Sequence, residues 1–308
     1  MSDPLIAACR HALEHNLGLG REERVVVVDD RTRPVIATAF TKAAVGLGAE
    51  VTTVVIPVAA ANGQEPPGAA ALAMRDHDVA LLITEKSLSW TRARVAATTA
   101  GARVASMTSI TTGILLRTLT VDYRPVRDRV NRLCDQLDAG DSVHILSAAG
   151  TDLRISIAGR TAHGRKGGIF REPGQWGNLP CGEAFIAPVE GTACGVYVVD
   201  GSHAGLGRME TPLRITVENG LAARIEGGEP AARLQSLLES IGSPAAFNIA
   251  EFGIGCNHAA RVTGTILEDE KAMHTCHIAL GNNVHFGGTV DVPIHLDGVI
   301  LQPDISIR

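Results

Sequence analysis

The chain has 308 residues, enough for one large domain or two ordinary ones. Its 45% hydrophobic and 20% charged residues fit a globular protein, and with aromatics at 3% the core must be built from Val, Ile, Leu and Ala. A formal net charge of −5 leaves no basic footprint for nucleic acid. The apolar runs are too short and interrupted to span a bilayer, so no membrane partner is expected. The N-terminus shows no basic stretch followed by an apolar one. The six cysteines form no C-x-x-C pair and read as reduced thiols. These features predict a cytoplasmic protein.

The first third alternates strand and helix patterns. Arg24–Asp30 is a continuous apolar run ending in acids, as in a buried parallel strand. Pro34 to Gly48 reads as an Ala-rich helix with Pro at its start and Gly at its end. Glu50–Pro57, Asp78–Thr84 and Ala102–Met107 read as strands, Pro66–Met74 and Thr91–Ala100 as helices. Repeated β-α units with short loops predict a parallel α/β sheet. No G-x-G-x-x-G follows the first strand, so a dinucleotide site is unsupported and no organic cofactor is expected. Asp29 and Asp30 end that strand, where they serve either function or the capping of the next helix.

Asp122 to Gln136 is an amphipathic helix pattern. Beyond Ser142 short strands alternate with Gly-rich turns: Val143–Leu146, Leu153–Ile157, Gly195–Val199, Leu213–Val217 and Ala223–Ile225. Asn219-Gly220 is a hairpin signal, and Pro230–Ser240 is a lone helix. The predicted fold class is α/β: an N-terminal parallel α/β sheet domain, residues 1–122, followed by a β-rich α+β metal-binding catalytic domain, residues 123–308.

The last 60 residues interleave possible metal ligands with strand-forming residues. His295 and Asp297, at i and i+2 in an apolar stretch, share one face of a strand and read either as a ligand pair or as an exposed H-x-D. Glu251 is a lone carboxylate in Phe247–Gly255 whose burial demands a partner, an arginine or a metal. His274 and His277 point to opposite faces if Cys276–Leu280 is a strand, and the apolar flank favours His277. The run Glu268-Asp269-Glu270 reads as a solvated face, and Glu183 as a turn residue. The absence of G-x-S-x-G and H-E-x-x-H removes support for a serine hydrolase or a zincin. Cys276 and His277, adjacent on a strand, make a poor thiol dyad.

Asn178–Phe185, Glu251, Cys276–Gly281 and His295-Leu296-Asp297 occur in the order seen in the aminopeptidase T-like metallo-aminopeptidases, which this chain resembles over most of residues 140–308. The resemblance implies a dinuclear site with Glu183, Glu251, His277, His295 and Asp297 as ligands. It also implies Zn, Co or Mn as the ions and Glu183 and Asp297 as bridging carboxylates. Glu183 or Glu251 would act as the catalytic proton shuttle. The implied activity is metal-dependent hydrolysis of an amide or peptide bond in a small molecule or short peptide, by a homodimer. One departure is the stretch Asn282–Gly288, which lacks the tyrosine those peptidases carry and offers His285 instead.

Ala149–Asp152, Glu172–Trp176, Gly287-Gly288 and His295–Asp297 also resemble the 2,5-dihydroxypyridine dioxygenases. That resemblance implies the alternative function, ring cleavage by one Fe(II) in a facial triad with open positions. The first histidine of that family falls at Glu251 here, and the family lacks Glu183 and His277, so His277, His295 and Asp297 are the mononuclear candidates. A non-catalytic metal-binding scaffold is a third alternative. It is disfavoured because an idle site has no reason to keep five polar residues among apolar neighbours.

Overall fold

In a computed structural model, which describes residues 3–308, the chain forms two units by its internal contacts. The first unit runs to Arg127 and includes Lys166–Cys181; the second holds Asp128–Arg165 and Gly182–Arg308. Among the described residues no helix is long and apolar enough to cross a membrane.

The first unit begins with α1 (Pro4–His11), continued by a π-helical turn to Asn16. There follow β1 (Arg24–Asp29), α2 (Pro34–Gly46), β2 (Glu50–Val55), α3 (Gly68–Asp76), β3 (Val79–Ile83), α4 (Arg92–Thr99), β4 (Arg103–Ser106), α5 (Thr112–Thr118) and α6 (Arg124–Ala139), which passes at Asp128 into the second unit. All of these strands pair in parallel. Val25 to Val28 and Val79 to Ile83 are wholly buried, which is why these strands read as unbroken apolar runs. Asp29 and Asp30 close turns: Asp29 accepts from the Arg31 amide and Asp30 from those of Thr32 and Glu85.

The second unit continues with β5 (Ser142–Leu146) and β6 (Asp152–Ser156), before the chain returns to the first sheet as β7 (Trp176–Asn178), parallel to β4. The first sheet thus has the order β2-β1-β3-β4-β7. Trp176 ties β7 down, with the Arg94 guanidinium 3.8 Å above its ring and Trp90 edge-on at 5.1 Å.

The remaining elements are β8 (Glu183–Ile186), β9 (Cys194–Val199), β10 (Ser202–His203), β11 (Gly207–Arg208), β12 (Leu213–Glu218), β13 (Leu221–Glu226), α7 (Glu229–Ser240), β14 (Ile249–Gly255), α8 (Ile266–Asp269), β15 (Thr275–Gly281), β16 (His295–Leu301) and β17 (Asp304–Ile307). They complete two antiparallel sheets, β11-β10-β16-β15-β14-β8 and β13-β12-β9-β6-β5-β17. Asn219 and Gly220 turn β12 into β13 with positive φ at both, the backbone of a type I′ hairpin. The predicted class, a parallel α/β sheet joined to β-rich antiparallel structure, is the class observed.

Candidate metal centre

The register of β8, β14, β15 and β16 builds the site. Glu251 lies opposite Ala279, and Ala279 opposite Asp297; Gly253 lies opposite His277, and Gly281 opposite His295. Gly255 lies opposite Glu183 and Gly253 opposite Phe185. Residues paired across an antiparallel ladder share a face. One face therefore carries Glu183, Glu251, His277, His295 and Asp297, separated by glycines and an alanine. The other carries Phe252, Ile254, Cys276, Ile278, Leu280 and Ile300, all buried. A register shift between Ile249 and Glu251 sets the carboxylate on the polar face.

The small residues make room for the polar ones. A Cβ on Gly253 would sit 2.1 Å from His277 Nε2, and one on Gly255 would sit 1.9 Å from the Ala272 carbonyl. The second glycine admits the segment that delivers Lys271.

His277 Nε2 lies 3.2 Å from Glu251 Oε1 and 3.6 Å from Glu183 Oε2. His295 Nε2 lies 3.3 Å from Glu251 Oε2 and 3.5 Å from Asp297 Oδ1. Its Nδ1 is 2.8 Å from the Asn282 carbonyl, a hydrogen bond that puts the proton on Nδ1 and turns the Nε2 lone pair to the site. The edges of a coordination polyhedron with metal–ligand bonds near 2.1 Å are about 3.0–3.4 Å, close to these separations.

Lys271, on the segment after α8, is wholly buried, and its ammonium donates to Glu183 Oε1 at 2.8 Å and to Glu270 Oε1. The acidic run read as a solvated face is instead buried. Glu268 accepts the Arg261 amide, Asp269 accepts the amides of Thr263 and Gly264, and Glu270 meets the lysine. Satisfaction by backbone donors and one ammonium is what allows acids inside.

With every carboxyl counted ionised and both imidazoles neutral, four carboxylates (Glu183, Glu251, Glu270 and Asp297) face one ammonium, a formal charge of −3, and burial raises the Glu270 carboxyl to about 8. Burial pushes the His277 pKa down, but Glu251, Glu183 and Asp297 outweigh it and raise it to about 9. His295 is raised well above its ordinary value, burial being outweighed by Asp297 and Glu251. Burial opposes ionisation of Asp297, but His295, His277 and Lys271 hold it far below the usual range. The two rings thus attract protons where a cation would otherwise balance the charge. Glu183 Oε2 and His277 Nδ1 are buried without a hydrogen-bond partner. One ligand atom each from Glu251, His277 and Asp297 lies within 4.8 Å of the others, as does one each from Glu183, Glu270 and His277. The donor set fits a divalent cation.

The structure brings together all five residues expected at the site and adds Glu270 and Lys271. In sequence the only hint of Lys271 is a lysine after three acids with apolar residues on both sides. His274 is exposed, with a left-handed backbone, and takes no part. Cys276 faces the apolar side, its thiol pushed up by burial. His285 is exposed; its neighbour Phe286 instead meets the His295 ring edge-on at 5.8 Å. Phe286 also packs on Phe185 at 5.7 Å, and His163 stacks on Phe185 at 5.4 Å.

The sequence profile of the 2,5-dihydroxypyridine 5,6-dioxygenase family matches residues 4–306. The curated 2,5-dihydroxypyridine 5,6-dioxygenase of Pseudomonas putida KT2440 is 29% identical over 183 residues, which is 54% of this chain and 51% of that protein; the match thus spans about half the relative's length. The solved structure of 2,5-dihydroxypyridine dioxygenase from Pseudomonas putida KT2440 superposes with a TM-score of 0.83 at 22% identity, covering 100% of this chain and 95% of the other. Wild-type AmpT from Thermus thermophilus gives 0.68 at 18% identity, with 98% and 94% covered. At these identities the two likenesses show the fold.

The family match overturns the expected amide or peptide hydrolase. The hydrolase, aminopeptidase and metalloprotease readings fall with it. The motifs shared with the peptidases lie on the strands that build the scaffold, and a shared scaffold does not fix the chemistry. Here Glu183, the expected bridging carboxylate, accepts from Lys271 through Oε1. The chain belongs to the 2,5-dihydroxypyridine 5,6-dioxygenase family.

Proposed function

We propose that the protein is a mononuclear Fe(II) dioxygenase that opens a dihydroxylated pyridine ring, with 2,5-dihydroxypyridine as the first substrate to test. The family match supports this, and so does the convergence of the His277 and His295 Nε2 atoms on the two oxygens of Glu251. In this reading His277, His295, Asp297 and Glu251 hold one ion. Two imidazoles and two carboxylates are two donors short of an octahedron, which leaves room for small ligands. Bound iron supplies the redox chemistry that lets oxygen react with a closed-shell aromatic ring. Both oxygen atoms enter across the cleaved bond, so no external reductant is needed.

The chain's own groups hold the remaining roles. The Asn282 carbonyl fixes the His295 tautomer, and the aromatic group of Phe286, Phe185 and His163 offers a flat wall beside His295 for a planar ring. Glu183 is held beside the His277 ring, its Oε2 3.6 Å from Nε2 and its Oε1 fixed by the Lys271 ammonium.

The test is oxygen uptake by protein loaded with one equivalent of Fe(II), with 2,5-dihydroxypyridine as substrate. Stoichiometric consumption of oxygen and ring is expected, and Asp297→Ala should abolish it. No uptake by iron-loaded, folded protein with any dihydroxypyridine would refute the assignment.

A further inference from the structure

We propose that Lys271 is a built-in cation standing where a second metal ion would otherwise bind, so that the cluster takes one divalent ion and takes two once the ammonium is removed. This rests on the reading of His277, His295, Asp297 and Glu251 as the holders of one ion.

Glu183, Glu270 and His277 have a ligand atom each within 4.8 Å of one another, a group that could hold an ion by itself. The Lys271 ammonium sits on two of the three, 2.8 Å from Glu183 Oε1 and in contact with Glu270 Oε1. The lysine is fixed there. Its side chain is wholly buried, its carbonyl accepts the Asn257 amide at 2.8 Å, and its own amide donates to the Glu268 carbonyl at 3.0 Å. The Ala272 carbonyl that follows lies over Gly255, where any side chain would collide with it. Two further observations mark this side as able to hold a metal: Glu183 Oε2 is buried without a hydrogen-bond partner, and the fully buried His277 has its Nε2 3.6 Å from it.

Charge accounts for the count. Four carboxylates, one ammonium and one dication leave a formal charge of −1. A second dication beside the ammonium would reverse the sign, at the ~3.5–4 Å spacing of two-metal sites, where repulsion in a dry cluster is large. Without the ammonium, two dications balance four carboxylates. Lys271 is therefore a positioning residue. It satisfies Glu183 and Glu270 and reserves the other half of the site for a single ion with open faces.

The test is metal stoichiometry. Wild type, Lys271→Met and Lys271→Arg are stripped with chelator and equilibrated with Mn(II), and bound metal is counted by elemental analysis. Paramagnetic resonance then distinguishes isolated from spin-coupled ions. Expected are one equivalent for wild type and Lys271→Arg, and two for Lys271→Met, with the exchange-coupled signal of an adjacent pair. Lys271→Gln, whose amide can still donate to a carboxylate, serves if Lys271→Met does not fold without metal. Two equivalents in wild type, or one in both folded neutral variants, would overturn the inference while leaving the one-ion reading standing. Failure of both variants to fold at any Mn(II) concentration would overturn it too, because a second ion supplies the charge that was removed. No bound metal in wild type would remove the one-ion reading itself.

Discussion

The His277 imidazole lies against Gly253 of the neighbouring strand, so close that a methyl group at Gly253 would sit 2.1 Å from Nε2. The position of this ring depends on an absent side chain. Gly253→Ala should push the ring away from Glu251 and Glu183 and weaken metal binding by at least about 10-fold, in the range found for groups that orient metal ligands. The overpacking itself should cost ~1–3 kcal/mol. Chelator competition for the metal and denaturant unfolding of the metal-free protein separate the two effects. Unchanged affinity would mean that His277 tolerates the shift and is not a ligand.

Metal removal should destabilise the second unit. The cluster holds four carboxylates against one ammonium, and an ion that binds only the folded chain adds stability by mass action. At free metal about 100 times its Kd the gain is ~2.7 kcal/mol, a rise in melting temperature of roughly 5 °C. Calorimetry with and without chelator checks this. Asp297→Asn should remove most of the metal-dependent rise. A rise of equal size in that variant would exclude Asp297 as a ligand.

Acid should loosen the loop before β16 through Glu190. Burial pushes this carboxyl up, but the Thr289 amide, the Asn283 side chain and Arg160 outweigh it and leave its pKa below the ordinary value. Its Oε1 accepts from Thr289 at 2.8 Å and Asn283 at 2.9 Å, and its Oε2 pairs with Arg160. A carboxyl whose pKa is lower in the folded chain adds stability above its unfolded pKa, and this is lost as pH falls through the folded pKa. Glu190→Gln should flatten the acid limb of stability against pH, and Glu190→Ala should cost ~2 kcal/mol at neutral pH by stranding three donors. Urea melts from pH 7 to 3 measure both. An unchanged acid limb in Glu190→Gln would place the linkage elsewhere.

Local patterns carried the fold a long way, and pairing between distant segments set the limit. Each strand and helix predicted before residue 122 is found within two residues of its expected ends, because buried parallel strands such as Val25–Val28 leave unbroken apolar runs. The chain's first helix and Thr112–Thr118 left no such pattern and were not predicted. His295 and Asp297 could be placed on one face because a strand alternates every two residues. The apolar flank favoured His277 over His274 for the same local reason. Glu183 read as a turn residue because its place on the metal-binding face depends on pairing opposite Gly255, 72 positions along the chain. The acids at 268–270 read as solvated because their partners, Arg261, Thr263, Gly264 and Lys271, satisfy them only once the loop has closed. Choice of reaction went astray for a related reason: the ligand motifs belong to the scaffold, and Lys271 lies outside them.

The return of residues 166–181 to the first sheet was also hidden, since β7 is three residues long and its pattern, Trp176-Gly177-Asn178, has no period. What holds it is one aromatic side chain. Trp176 packs against the first unit's core, receives the Arg94 guanidinium at 3.8 Å and meets Trp90 edge-on. Arg94 is itself buried, and desolvation lowers its pKa to about 10, which leaves it charged at neutral pH; the guanidinium lies over the ring face and donates to the Ser89 carbonyl at 2.7 Å. Trp176→Ala should cost ~3 kcal/mol from lost burial and about 1 kcal/mol more from the cation–π contact. Trp176→Phe, which keeps a ring under the guanidinium, should recover part of the loss. Hydrogen exchange at the amides that join β7 to β4 should rise in the alanine variant before exchange in β1 and β3 does. If protection of β7 survived in Trp176→Ala, backbone pairing alone would be holding the strand.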